Sequence, residues 1–341
     1  MRLRVGQMAQ REPPKGDEQL DLFVAVFTDI PIRDQRDMME RPFFSLSKTP
    51  RLKPIEYQVG DTWVEVSANP KFGMATIWDA DVLIWAATQI TEAHDRGLPT
   101  SPLIRLHPYE LLKAIRRGTS GSEYRRLRAA LERLTHSAVR TSIRASGKNK
   151  FASFHWLESW TEAIDERTQE TKGITITLPL WLYHGILERG GVLTIHEDYF
   201  LLTGGLERWL YRVARKHAGK QPMGWQFTMR QLYEKSGSLA RPSDFALDVR
   251  KVATSDQLPE YALELGRNGE GAEVLYIIPR TSLSAEDPRS RPPRHPRRRV
   301  MRGIYSEPLK LPSATTQNEK SSTIVLSGAI ARENGASGEK S

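Results

Sequence analysis

A chain of 341 residues is long enough for two ordinary domains with tails. It has no cysteine, which excludes a disulfide framework, thiolate metal sites and a cysteine nucleophile. Its net charge of +9 suggests a polyanionic partner.

The charge is concentrated. Residues 103–150 hold 12 Lys and Arg against 3 Asp and Glu, a surplus equal to that of the whole chain. No stretch approaches the roughly 18 apolar residues of a membrane span, the best run being Val82–Ala87. The start lacks the apolar centre of a signal peptide, so a cytoplasmic protein with no membrane partner is expected.

In chain order, residues 1–18 are polar, rich in charge and Pro, and expected to be disordered. Ile55 to Ser67 alternates around Gly60-Asp61 and predicts a hairpin. Asp79 to Asp95 has helical periodicity, with Asp79 as the candidate cap. Leu103 to His107 predicts a short strand, and Pro108 opens a helix to about Arg117. Gly118-Thr-Ser-Gly121 breaks it, and Ser122 caps a second helix to His136. Ala138–Arg144 and Phe151–Trp160 predict a two-stranded ribbon about a turn at 145–150. Helix, glycine turn, helix and ribbon is the order of a winged helix-turn-helix.

After a strand at 173–178 and a helix at 179–189, the order repeats. Leu206–His217 is helical, Trp225–Thr228 a strand, Met229–Lys235 a helix ended by Gly237. Ser243 caps a helix to Thr254, and Tyr261–Leu265 with Val274–Pro279 make a hairpin. The fold class expected is α+β, two tandem winged helix-turn-helix domains with a disordered basic tail. The boundaries are 19–170 for the first domain, 171–280 for the second and 281–341 for the tail.

In the helix from Ser122, Tyr124, Leu127, Leu131 and Leu134 form one apolar stripe. The opposite face carries Ser122, Arg125, Arg126, Ala129 and Arg133, where a small central residue allows close approach and arginines suit phosphates or guanine edges. Lys148 and Lys150 at the ribbon tip suit the neighbouring backbone. A solvated amphipathic helix is the competing reading. In the second unit Phe245, Val249 and Val252 face inward, leaving Ser243, Leu247, Arg250, Lys251 and Thr254 outside, with Arg241 just before. Leu247 suits a thymine methyl, or equally the packing of another helix. Asp244 and Asp248 suit the helix dipole but repel phosphate.

Enzymatic signatures are missing from the sequence. There is no Gly-x4-Gly-Lys-Ser/Thr, no His-x-His pair, no His-Glu-x-x-His and no Gly-x-Ser-x-Gly. His107, His155 and His217 are expected in structural or surface roles. No catalytic residue, metal or cofactor is expected, and the chain is read as a binding protein without chemistry of its own.

Three segments, Pro42-Phe-Phe-Ser-Leu-Ser-Lys48, Gly73-Met-Ala-Thr-Ile-Trp-Asp-Ala-Asp-Val-Leu-Ile-Trp85 and Arg117-Gly-Thr-Ser-Gly-Ser-Glu-Tyr124, resemble the replication initiator protein A family of plasmids over roughly residues 19–280. The resemblance implies tandem winged helices binding double-stranded repeats in an origin, local strand opening, and recruitment of a host initiator ATPase and replicative helicase. It also implies a homodimer in autorepression. A transcriptional repressor with the same domains is the alternative. Gln19-Leu20-Asp21-Leu22-Phe23 looks like a peptide that docks on the bacterial sliding clamp, although the apolar continuation to Phe27 also fits a first strand. Arg289–Arg299 is a Pro-broken cationic run, suited to weak DNA contact or to solubility.

Overall fold

The computed structural model describes residues 22–145, 150–168 and 171–293. Residues 1–21, 146–149, 169–170 and 294–341 lie outside the described residues, and with them the expectations for the N-terminus and most of the basic tail. No helix among the described residues is long and apolar enough to cross a membrane.

The elements run as follows. Strands β1 (Phe23–Val24), β2 (Arg33–Gln35), β3 (Ile55–Val59) and β4 (Thr62–Ser67) precede helix α1 (Ala80–Asp95). Then come β5 (Leu103–Leu106), α2 (Pro108–Ala114), α3 (Gly121–His136), β6 (Ala138–Thr141), β7 (Ala152–His155), β8 (Ser159–Ile164) and β9 (Thr171–Thr177). A connecting stretch holds α4 (Leu180–Leu187) and β10 (Val192–Thr194). The last third is α5 (Gly205–His217), β11 (Trp225–Thr228), α6 (Met229–Ser236), α7 (Pro242–Ser255), β12 (Tyr261–Arg267) and β13 (Glu273–Pro279). The chain is therefore mixed α+β.

Two of the sheets share a topology. In one the order is β1-β5-β9-β8, in the other β11-β13-β12. In both, the strand before a helix pair lies beside the last strand of the hairpin that follows the pair, antiparallel to it. So α1-β5-α2-α3-β8-β9 and α5-β11-α6-α7-β12-β13 are the same arrangement twice. The hairpins β3–β4 and β6–β7 make a separate antiparallel sheet of order β3-β4-β6-β7, and β10 pairs back with β2.

This pairing revises two expectations. Phe151–Trp160 is not one strand: residues 152–155 pair with β6, whereas residues 159–164 pair with β9 in another sheet. A boundary at 170/171 also separates β8 from the strand it pairs with. The repeated unit of the first half runs through Thr177, and that of the second begins at Gly205.

The family-like segments supply the core. Helix α1 is buried on every side from Ala80 to Thr91, with its polar Asp81, Thr88 and Gln89 each held by hydrogen bonds. Phe44 stacks on Trp156 with ring centres 4.7 Å apart, Phe43 meets Trp156 edge-on at 5.5 Å, and Phe154 stacks on Trp181 at 4.6 Å. One continuous hydrophobic cluster runs from Met38 to Ile277, so the two halves share their core.

Charge also joins the halves. On α5, Arg208 and Arg212 are four residues apart and share a face. Arg212 pairs bidentately with buried Asp34 at 2.6 and 3.1 Å. Arg208 donates to Asp81 at 2.7 Å, and Arg117 reaches the other oxygen of Asp81 at 3.0 Å. Glu40 receives Lys216 at 2.9 Å, His217 at 2.5 Å and Lys235 at 3.3 Å.

Gly237 closes α6 in the left-handed region, with φ of 61°. A Cβ there would lie 2.6 Å from the Pro42 side chain. Gly237→Ala meets both strain and overlap, and should cost about 2–4 kcal/mol in urea unfolding. A cost below about 0.5 kcal/mol would mean that Pro42 moves aside freely.

Candidate nucleic-acid interface

Helix α3 folds as its stripe dictates. Leu127, Ala130, Leu131 and Leu134 are buried, and Tyr124 packs half-buried against the core. The helix begins at Gly121 with Ser120 as its cap residue, two residues earlier than expected, so Ser122 sits in the first turn. Arg125, Arg126 and Ala129 are exposed, as a DNA-facing surface requires. Arg126 makes only an exposed pair with Glu123, one turn away, of the kind that contributes little and is easily exchanged. Arg125 makes no ion pair among the described residues.

Arg133 departs from expectation. Its guanidinium is bidentate to Asp79, both bonds at 2.7 Å, and that carboxylate is only 2% exposed. Asp79 is thereby also removed from its expected role. It makes no cap bond to α1 and instead accepts from the Thr76 amide. Arg133 fastens α3 to the start of α1 and is not free for DNA.

Arg128 was not among the expected residues and has a related role. It is bidentate to Glu162 on β8, at 2.7 and 2.8 Å, which drives the carboxyl below its ordinary range through the hydrogen bond and the charge of Arg128. This seats the β8–β9 hairpin against α3. The turn of that hairpin is built on Asp165, whose carboxylate accepts the amides of Arg167 and Thr168 at 2.9 Å and pairs with Lys172 at 3.0 Å. The hairpin that completes the repeated sheet is β8–β9, while β7 of the expected ribbon also packs against α3. Lys150 is exposed in the separate sheet, and Lys148 lies outside the described residues.

The second unit repeats the device. Phe245, Val249 and Val252 are buried, joined by Ala246 and Ala253. Arg250 is bidentate to Glu273 on β13 at 2.8 and 2.6 Å, and Glu273 is held below its ordinary range by that bond. Arg250 thus links helix to hairpin, as Arg128 does in the first unit, through a pair that is itself partly exposed. Arg241 is the cap residue, Pro242 opens the helix, and Ser243 is exposed in its first turn instead of capping it. Arg241 is forked onto Asp244 at 2.8 and 3.2 Å, and Lys251 pairs with Asp248 at 2.9 Å. The two acids expected to repel phosphate are therefore locally neutralised by exposed, exchangeable partners. Thr254 is exposed, its hydroxyl donating to the Arg250 carbonyl. Leu247 is 49% exposed, so no helix among the described residues covers it. Exposed apolar Leu239 stands in the turn before α7.

Elsewhere, Phe23 of the clamp-like pentapeptide pairs with Ile104 in β1 and packs half-buried on the core, while Leu22 is exposed. Gln19, Leu20 and Asp21 lie outside the described residues. For Phe23 the strand reading describes what is seen. The segment expected as a tail from 281 is described as far as Pro293. It makes short 3-10 turns, and Arg289 pairs with Asp287 and Glu264. No group of His, Asp and Glu among the described residues has the arrangement of a metal site.

Comparison with known proteins places the chain among replication proteins. The structure is similar to a crystal structure of domains 2 and 3 of RctB, with a TM-score of 0.51 and 14% identity over 69% of this chain and 94% of that one. The sequence is 31% identical over 233 residues to a protein of Wigglesworthia glossinidia brevipalpis described as a "Putative replication protein", covering 67% of this chain and 83% of that one. The family model for replication initiator protein A matches residues 33–263, and the chain belongs to that family.

Proposed function

We propose that the two repeated units are winged helices and that the protein initiates replication by binding repeats in a plasmid origin through α3 and α7. The observation that carries this reading is the repetition itself. In both units a helix pair is followed by a hairpin whose last strand lies beside the strand preceding the pair. In both, the second helix of the pair turns exposed side chains outward and is tied to the hairpin by a bidentate Arg–Glu pair. That is the geometry in which a recognition helix enters a major groove and a hairpin follows the backbone. The contacts are Arg125, Arg126 and Ala129 from α3, and Ser243, Leu247, Lys251 and Thr254 from α7, with Arg241 at its start.

Binding alone supplies the work, with no catalytic residue. Opening of an adjacent duplex and recruitment of a host ATPase and helicase belong to the same reading, supported by family membership. Docking of residues 19–23 on a sliding clamp requires β1 to release Phe23.

The test is footprinting on the DNA flanking the protein's own gene. Several regularly spaced protected repeats are expected. Arg125→Ala with Arg126→Ala should weaken binding by about 1–3 kcal/mol per lost base contact, or flatten the salt dependence by about one unit for each lost phosphate contact. Leu247→Ala should weaken binding to thymine-containing sites and leave the same sites with uracil unaffected. A single protected operator would favour a repressor. Full protection by both variants would remove α3 and α7 from the interface.

A further inference from the structure

The sheet β3-β4-β6-β7 has no counterpart in the second unit. There, only residues 256–260 separate the second helix of the pair from its hairpin, whereas residues 137–158 do so in the first and contain β6 and β7. The repeated fold is complete without this insert. Its inner face is core: Ile55, Tyr57, Val64, Val66, Val139 and Phe154 are all buried.

The outer face is unusual for a solvated surface. Gln58 lies opposite Trp63, and Arg140 opposite Glu65. Trp63 and Phe151 meet with ring centres 6.2 Å apart. The Arg140 guanidinium lies beside both rings, 4.9 Å from the Phe151 ring and 5.9 Å from that of Trp63. Phe151 is 45% exposed, and Lys150, next to it in the chain, is exposed as well. Charge is graded across the face. Glu56 and Glu65 oppose each other on β3 and β4, Glu65 pairs with Arg140 at 3.0 Å, and exposed Lys150 precedes Phe151 in the chain. The acidic side is thus partly neutralised, and the aromatic end is the basic one.

We propose that this face binds single-stranded DNA. Unpaired bases offer π-faces that stack on exposed rings and on a guanidinium plane, with little sequence preference, while Arg140 and Lys150 take the phosphates. A duplex cannot use the rings, because its bases already stack on one another. The ligand is what an opened origin provides, so the inference deepens the function proposed above, yet its recognition chemistry does not depend on α3 or α7.

The test uses the full chain and fluorescence anisotropy with a labelled oligo(dT) strand, alongside duplex DNA from the flank of the protein's own gene. Phe151→Leu keeps apolar bulk and removes the ring, and Arg140→Ala removes the guanidinium. Each should weaken oligo(dT) binding about tenfold, as expected for one lost stacking partner, with duplex affinity within about twofold of wild type. Trp63→Phe should retain most of the binding, which guards against mere unfolding. No binding of oligo(dT) by wild type, or unchanged binding by Phe151→Leu, overturns the proposal. Equal losses on single strand and duplex, with unchanged thermal unfolding, also overturn it and make the face part of duplex binding. Ring-dependent oligo(dT) binding without specific duplex binding would keep the single-strand site and defeat the origin-repeat reading.

Discussion

Arg133→Ala is expected to lower stability by about 3 kcal/mol, although helical periodicity places this residue on the outward face of α3. The loss follows from what it leaves behind. Asp79 is buried and takes both guanidinium bonds at 2.7 Å, so truncating the arginine strands a carboxylate away from water. Breaking a buried pair from one side typically costs about 3–5 kcal/mol, and the partial exposure of Arg133 puts the expected value at the lower end. Urea unfolding followed by tryptophan fluorescence would measure it. Asp79→Asn combined with Arg133→Ala should be less destabilising than the sum of the two single changes, because the stranded charge is gone. Arg125→Ala, with no ion pair to break, should stay within about 0.5 kcal/mol of wild type in stability while losing DNA affinity. If Arg133→Ala left stability untouched and affected DNA binding alone, the Asp79 pair would be dispensable and Arg133 would return to the interface.

The contrast between Arg125 and Arg133 shows where a sequence can be read and where it cannot. Both apolar stripes, the Ile55–Ser67 hairpin and the sequence Leu103–His136 of strand, helix, turn and helix are local patterns of period two or 3.6, and the structure has them. The partner of Arg133 lies 54 residues away, and that of Arg128 lies 34 away. Periodicity places a side chain on a face but does not say what the rest of the chain brings to that face. The misplaced hairpin has the same origin. Phe151–Trp160 is continuously rich in aromatics, with no Gly or Pro to mark the point where the chain leaves one sheet for another. Only the long-range pairing of β8 with β9 and of β7 with β6 decides it. Strands of two or three residues such as β1, β2 and β10 are too short to show any alternation. The joint between the halves was invisible for a related reason. Asp34, Glu40 and Asp81 look like surface acids until α5 and α6 deliver arginine, lysine and histidine to them.

Glu40→Gln should be less stable than wild type by about 3 kcal/mol at pH 7, with the difference shrinking as the pH falls toward 3. Burial raises the affinity of the Glu40 carboxyl for a proton. The hydrogen bond from His217 and the charges of Lys216 and Lys235 more than reverse this and hold the group far below the ordinary carboxylate range. A group whose pKa is depressed on folding contributes stability that is complete above its unfolded value, near 4.3 for Glu, and is lost as the pH drops through and below that value. Glutamine has no charge to lose, so its deficit is largest at neutral pH and fades in acid. There the wild-type carboxylate must give up its advantage in order to unfold as an acid. The deficit at pH 7 comes from lysines and a histidine left facing an amide in a half-buried joint. Urea titrations of both proteins at pH 7, 5 and 3.5 would measure it, and a gap that stayed constant with pH would show that the shape of Glu40, not its charge, holds the joint. The same joint sets how α7 stands relative to α3, because Lys216 and Lys235 belong to the second half and Glu40 to the first. On the proposed function, α3 and α7 held in fixed register would bind neighbouring grooves without first having to be ordered. Glu40→Gln should therefore weaken binding to a complete origin repeat more than binding to half of one, even under conditions where the variant remains folded.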